Sequence, residues 1–162
     1  MAIDPGRFRQ ALAQFATGVT VVTTIDPDGR PLGLTVNAFC SVSLDPPLVL
    51  VCIHNRSETH SGFEASQRFG VSVLAEDQEV WSQRFAFGGP EKFTAQPLLL
   101  GENGVSLIPG ALAHFECRVV SALPGGDHTI YVGEVTRLAV APGRPVLFHG
   151  SAYGRMSEGR SR

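Results

Sequence analysis

The sequence predicts a mainly β chain, an antiparallel barrel with short helices at its ends, and three observations carry that expectation. Six or more runs rich in valine, isoleucine, threonine and leucine are joined mostly by turn residues, as antiparallel neighbours are. Only three short stretches carry helical periodicity, and they do not alternate with the strands as a parallel α/β sheet requires. The 162 residues, 43 % hydrophobic and 17 % charged, suit a single core that needs neither disulfide nor metal.

Asp4-Pro5 is an N-cap followed by proline at the first helical position. Phe8, Ala11, Leu12 and Phe15 then fall on one face of a helix expected to end near Gly18. Val19 to Ile25 is β-branched throughout, and Asp26-Pro27-Asp28-Gly29 turns it into a second strand over Pro31 to Phe39. Asp45-Pro46-Pro47 breaks the chain before Leu48 to Ile53, a continuous apolar run that reads as a strand buried on both faces. Ser57 is the expected N-cap of a short helix carrying Phe63 and ending near Gln67, and Phe69 to Leu74 is the next strand. Glu76-Asp77 open a second amphipathic helix with Val80, Trp81, Arg84 and Phe85 at helical spacing, stopped by Gly88-Gly89. Residues 90 to 110 scatter Gly and Pro and are expected to form a loop. Ala113 to Leu123 and Thr129 to Val140 are long strands parted by Pro124-Gly125-Gly126-Asp127-His128, and Pro145 to His149 is a last short one. The domain is expected to span residues 1–156, leaving 157–162 as a disordered tail.

Several function classes are disfavoured. A net charge of -2 and the lack of any basic run remove the electrostatic term that nucleic-acid binding depends on. No stretch approaches the ~18 apolar residues of a membrane span, and the N-terminus has no signal-peptide pattern, so a cytoplasmic protein is expected. Cys40, Cys52 and Cys117 show no CxxC spacing and are expected to be three buried thiols. His54 and His60 have the wrong spacing for a helical metal pair, and no metal site is expected. The phosphate-loop, Rossmann and nucleophile-elbow motifs are all absent.

Within residues 33 to 52, small polar side chains stand where aliphatic ones would fill a strand, which asks for a ligand. Alternation sends Thr35 and Asn37 to one side and Val36 and Ala38 to the other; a plain edge strand with satisfied Thr and Asn side chains is the competing explanation. His54-Asn55-Arg56-Ser57-Glu58-Thr59-His60 combines a cation and two hydroxyls with a helix start, where free N–H groups attract an anion, provided that Glu58 points outward. Simple capping by Ser57 explains the same residues.

The run from Gly33 to Cys52, down to Ser41-Val42-Ser43-Leu44-Asp45-Pro46-Pro47, together with Gly126-Asp127-His128 and Tyr153-Gly154-Arg155, resembles the flavin reductase family. These split-barrel flavoproteins are the small partners of two-component flavin monooxygenases, and the resemblance runs from about Phe8 to Arg155. It implies an antiparallel Greek-key split barrel of the FMN-binding type that reduces FMN or FAD by hydride transfer from NADH or NADPH and supplies a separate monooxygenase; a homodimer is expected because a barrel this small completes its flavin cleft with a second subunit. It also implies flavin contacts at Thr35, Val36, Asn37, Ala38, Ser41, Cys52 and Ile53, with the phosphate at His54, Asn55, Ser57, Thr59 and His60. Phe85 would lie close by, His128 would orient the nicotinamide at the catalytic centre, and Tyr153, Gly154 and Arg155 would help hold the dinucleotide. Two alternatives stay open. A non-enzymatic flavin carrier would need neither His128 nor Tyr153-Gly154-Arg155. A flavin-dependent oxygenase, or a haem-handling protein on the same fold, would need a further pocket that only residues 90 to 110 could build.

Overall fold

Residues 2–87 and 89–157 are described in the computed structural model of the chain. Met1, Gly88 and residues 158–162, which hold nearly all of the expected tail, lie outside the described residues. The elements follow as helix α1 (Pro5–Leu12), strands β1 (Thr17–Gly18), β2 (Thr20–Ile25), β3 (Pro31–Val36), β4 (Phe39–Leu44) and β5 (Pro47–His54), helix α2 (Glu58–Ser66) and strand β6 (Arg68–Val73). Helix α3 (Glu79–Phe87), a 3-10 turn (Pro90–Phe93) and strands β7 (Leu99–Leu100), β8 (Ser106–Leu107), β9 (Ala113–Gly125), β10 (His128–Val140), β11 (Val146–His149) and β12 (Ala152–Arg155) complete the chain.

Seven strands form one antiparallel sheet in the order β3-β2-β6-β9-β10-β5-β4. The two outermost strands, β3 and β4, are consecutive in sequence and joined by Asn37-Ala38 alone. Two residues span only about 7 Å, so the edges must curl toward each other and the sheet becomes a barrel. The N–H of Cys52 on β5 donates to the Ala38 carbonyl at 3.1 Å and pins that seam. The strand expected over residues 31 to 39 is thus two strands on opposite edges.

The barrel interior holds Val22, Val51, Ile53, Phe63, Phe69, Val71 and Tyr131 among its core. Gly133 on β10 leaves room for the Phe69 ring, whose Cζ would lie 2.4 Å from any Cβ at that position. A second cluster, with Val21, Leu74, Trp81, Phe85 and Val146, packs α3 and the small sheet β1-β11-β12 against the outside of β2 and β6. The doubly buried strand is therefore β2, with five of its residues buried in succession. β5 alternates instead, with Val49, Val51 and Ile53 inside and Leu48, Leu50 and Cys52 half-exposed, because no element among the described residues buries its outer face.

α1 ends at Leu12 and buries no residue; Phe8 is 54 % exposed and Phe15, beyond the helix, 76 %. The amphipathic spacing is real, but none of its apolar side chains is buried among the described residues. Ser57 caps α2 as expected, accepting the Thr59 N–H at 3.3 Å, and Gln67 closes the helix in the left-handed region. Gly126-Asp127 is a two-residue hairpin turn with Gly126 at φ 74°, so β9 runs on through Pro124 and Gly125. Among the thiols Cys117 is buried, Cys52 half-buried and Cys40 exposed, against the expectation of three buried ones. Burial pushes the Cys117 thiol up to about 12 and raises that of Cys52, which disfavours the reactive thiolate at both. No helix among the described residues is long and apolar enough to cross a membrane.

Candidate functional site

β3 is the last strand of the sheet, so one side of its backbone has no strand partner and presents free N–H and C=O groups. Two adjoining cavities lie along it. The first, of about 480 Å³, is lined by Val19, Thr35, Asn37, Ser82, Phe148 and Tyr153, among others. The second, of about 630 Å³, runs from Pro31 to Leu34 on β3 past Phe85 to Ser57, Glu58 and Thr59 at the start of α2, and to Lys92. Ala86 and Phe87 line both, so together they form one groove.

Each wall has a local cause. The Thr35 hydroxyl donates to the Ser82 carbonyl at 2.5 Å, tying β3 to α3, and the Ser82 hydroxyl meets the Tyr153 hydroxyl at 2.7 Å. Tyr153 stands edge-on to Phe148 with ring centroids 5.5 Å apart, so the hairpin β11-β12 closes one end. At the other end Ser57, Thr59 and the α2 N-terminus form a polar mouth. Glu58 lines this mouth rather than pointing away from it. Arg56, the cation expected there, does not line it; Lys92 does.

A third group lies where β5 and β10 meet. His54 and His128 are register partners, their rings edge to face with centroids 5.1 Å apart. Nδ1 of His54 accepts the Arg56 N–H at 3.0 Å, which leaves its proton on Nε2. Nδ1 of His128 donates to the Asp127 carboxylate at 2.7 Å, and that bond draws the Asp127 carboxyl below its ordinary value. The Thr129 hydroxyl donates to Asn55 Oδ1 at 2.9 Å and accepts from Nε2 of His60 at 2.9 Å, binding the loop after β5 to β10.

The residues expected at the site divide accordingly. Thr35, Asn37 and Tyr153 share the first cavity, and Ser57, Thr59 and Phe85 share the second. His54, Asn55, His60 and His128 form the network at the barrel end and line neither cavity. The side chains of Val36 and Ile53 are core, Cys52 is half-buried, and Ala38 and Ser41 are exposed at the seam. Gly154 and Arg155 border a separate small pocket with Glu76 and Glu79. Sequence reasoning missed Ser82, Phe87 and Lys92. Lys92 carried one usable signal, for it is the single lysine beside twelve arginines.

The groove suits a flat heteroaromatic ring with an anionic tail. An unpaired strand edge offers amide-like donors and acceptors, Val19, Phe87 and Phe148 offer apolar faces, and the start of α2, with the hydroxyls of Ser57 and Thr59, offers hydrogen-bond donors and the positive end of the helix dipole to an anion. Among the described residues no cluster of three or more His, Cys, Asp or Glu could hold a metal ion.

The chain is similar to known proteins over nearly its whole length. Residues 12–157 match the family described as flavin reductase like domain. The chain is 50 % identical over 150 residues to the FMN reductase (NADH) SmoA of Agrobacterium fabrum, spanning 93 % of this chain and 85 % of that one. It is 42 % identical over 153 residues to HsaB of Rhodococcus jostii, the reductase subunit of a flavin-dependent monooxygenase, covering 94 % and 78 %. The solved NADH:FAD oxidoreductase SgcE6 of Streptomyces globisporus, in complex with NAD and FAD fragments, superposes with a TM-score of 0.91 at 39 % identity over 99 % of both chains.

Proposed function

The chain belongs to the flavin reductase like domain family, and from that premise we infer that it is an NADH-dependent flavin reductase that passes reduced FMN or FAD to a separate flavin-dependent monooxygenase. The observation that carries this reading is the groove along the open edge of β3, polar at the strand and at α2 and apolar between them. When bound, flavin supplies the electron-accepting ring, so the protein needs no nucleophile of its own. The residues' work is positional. The β3 backbone and Asn37 orient the ring edge, while Phe87, Phe148 and Val19 exclude water from its face. Ser57, Thr59 and the α2 N-terminus hold the phosphate. His128, its ring fixed by Asp127 and His54, orients the nicotinamide. Dependence on a nicotinamide donor supports a cytoplasmic location. A carrier role is the weaker reading, because the His128 network would then serve nothing.

The test is steady-state oxidation of NADH and NADPH with FMN, FAD and riboflavin in turn. NADH oxidation should rise with FMN or FAD. No stimulation by any flavin would refute the reading.

The same reading includes a homodimer. α1 buries nothing, β5 shows half-exposed Leu48 and Leu50, and Leu138 and Val140 on β10 are 63 % and 76 % exposed. Such apolar faces need a cover, and a second copy supplies one. Sedimentation velocity at micromolar concentration should give a species of twice the 17.3 kDa chain mass; a monomer that binds flavin tightly would refute it.

A further inference from the structure

One side chain ties together three walls of the first cavity. Ser82 on α3 is fully buried, yet its polar atoms reach two other elements. Its carbonyl accepts the Thr35 hydroxyl of β3 at 2.5 Å, and its hydroxyl meets the Tyr153 hydroxyl of β12 at 2.7 Å. A serine within a helix often bonds the carbonyl one turn earlier; that of Ser82 turns to Tyr153 instead. Neither hydroxyl of the pair has another hydrogen bond among the described residues. Both residues line the first cavity, so the paired hydroxyls stand at its wall, and the Tyr153 ring is held there edge-on to Phe148. Each hydroxyl carries one proton and two lone pairs. One oxygen of the pair gives its proton to the other, which leaves one proton over for a third partner. Around it Val19, Phe87 and Phe148 are apolar, a poorly hydrated setting in which a hydrogen bond counts for more.

We propose that Ser82 is a positioning residue: by donating to Tyr153 it turns the Tyr153 O–H into the first cavity, where that O–H donates to an amide-type carbonyl on the ring of the bound ligand. This rests on the flavin reductase reading, in which two ligands carry such a carbonyl, the flavin and the nicotinamide. Donation by Ser82 polarises the phenol, so the two bonds strengthen each other. The serine acts through the tyrosine rather than on the ligand.

A double-mutant cycle tests this. Flavin affinity, by quenching of flavin fluorescence, and KM for NADH are measured in the wild type, Ser82→Ala, Tyr153→Phe and the double variant. Each substitution removes a single oxygen; phenylalanine keeps the ring against Phe148 and alanine suits a helix, so the fold is retained. Tyr153→Phe should weaken one ligand by about fivefold or more, the scale of one hydrogen bond. Ser82→Ala should weaken the same ligand by about two- to fivefold. The double variant should match Tyr153→Phe within about twofold, because the serine has nothing to direct once the phenol is gone. Which ligand responds identifies the carbonyl. Equal losses for FMN, FAD and riboflavin, with a moved visible absorption band of the bound flavin, assign it to the flavin ring. A raised KM for NADH with flavin affinity unchanged assigns it to the nicotinamide. Additive losses in the double variant would overturn the proposal and make Ser82 a packing residue, and so would a Tyr153→Phe variant that binds both ligands as the wild type does. Wild-type protein that binds no flavin would refute the flavin reading itself, a result separate from the variants.

Discussion

His128→Ala is expected to slow reduction of bound flavin by roughly ten- to a hundredfold, about 1.4 to 2.7 kcal/mol of lost transition-state positioning, while flavin affinity stays nearly unchanged. The separation follows from the geometry. His128 lines neither cavity, so it contributes little to holding the flavin, yet its ring is fixed on two sides. The Asp127 carboxylate accepts from Nδ1 and the His54 ring stands edge-on, which holds the His128 ring in one orientation at the barrel end. A group so restrained spends little entropy when it meets a second ligand. Stopped-flow absorbance of the bound flavin at saturating NADH isolates the step from product release. An unchanged reduction rate would return His128 to the status of a hairpin residue, and a parallel loss of flavin affinity would show that it holds flavin rather than orients the donor.

Phe63→Ala should cost about 3–5 kcal/mol of folding stability, a large part of the total for a domain of this size. Phe63 is fully buried, with its ring 4.6 Å from that of Tyr131 and 5.2 Å from that of Phe69. It is also the one large apolar side chain that α2 sinks into the barrel. Removing it leaves a cavity and loosens the helix whose N-terminus faces the groove. The midpoint of urea unfolding should fall sharply, and phosphorylated flavin should bind less well even where the protein remains folded. Phe63→Leu should cost much less. A shift below about 1 kcal/mol for the alanine variant would mean that α2 is held by something other than this ring.

How much of this could be read from the chain varies by element, for physical reasons. The β2-β3 hairpin and the cap of α2 are local, decided by a β-branched run, a turn tetrapeptide and one serine, and they fold where the sequence puts them. The break at Asn37-Ala38 has no local signal, because it arises from the need to carry the chain from one edge of the sheet to the other. β5 reads as doubly buried since its composition resembles that of β2; what differs is whether an element packs outside it, a tertiary fact. The spacing in α1 announces an apolar face but not its partner. At the site, the polar run on β3 and the mouth of α2 were legible. Lys92 was not, because its place depends on Phe93 meeting Phe85. Nor was the role of α3, whose Ser82 and Phe87 face the groove from a helix that periodicity assigns to the core.

The open edge of β3 has a further consequence, for the protein's behaviour in concentrated solution. A row of unpaired backbone groups is a template on which a strand of another molecule can add, and such addition propagates into aggregates. Here the groove runs along that row, so whatever fills it also hides the template. On the proposed placement, flavin would act as a guard as well as a reactant: each occupied molecule would withdraw that edge, and a preparation stripped of flavin would be the one open to edge-to-edge growth. Loss of ligand during purification would thus show itself first as turbidity rather than as unfolding.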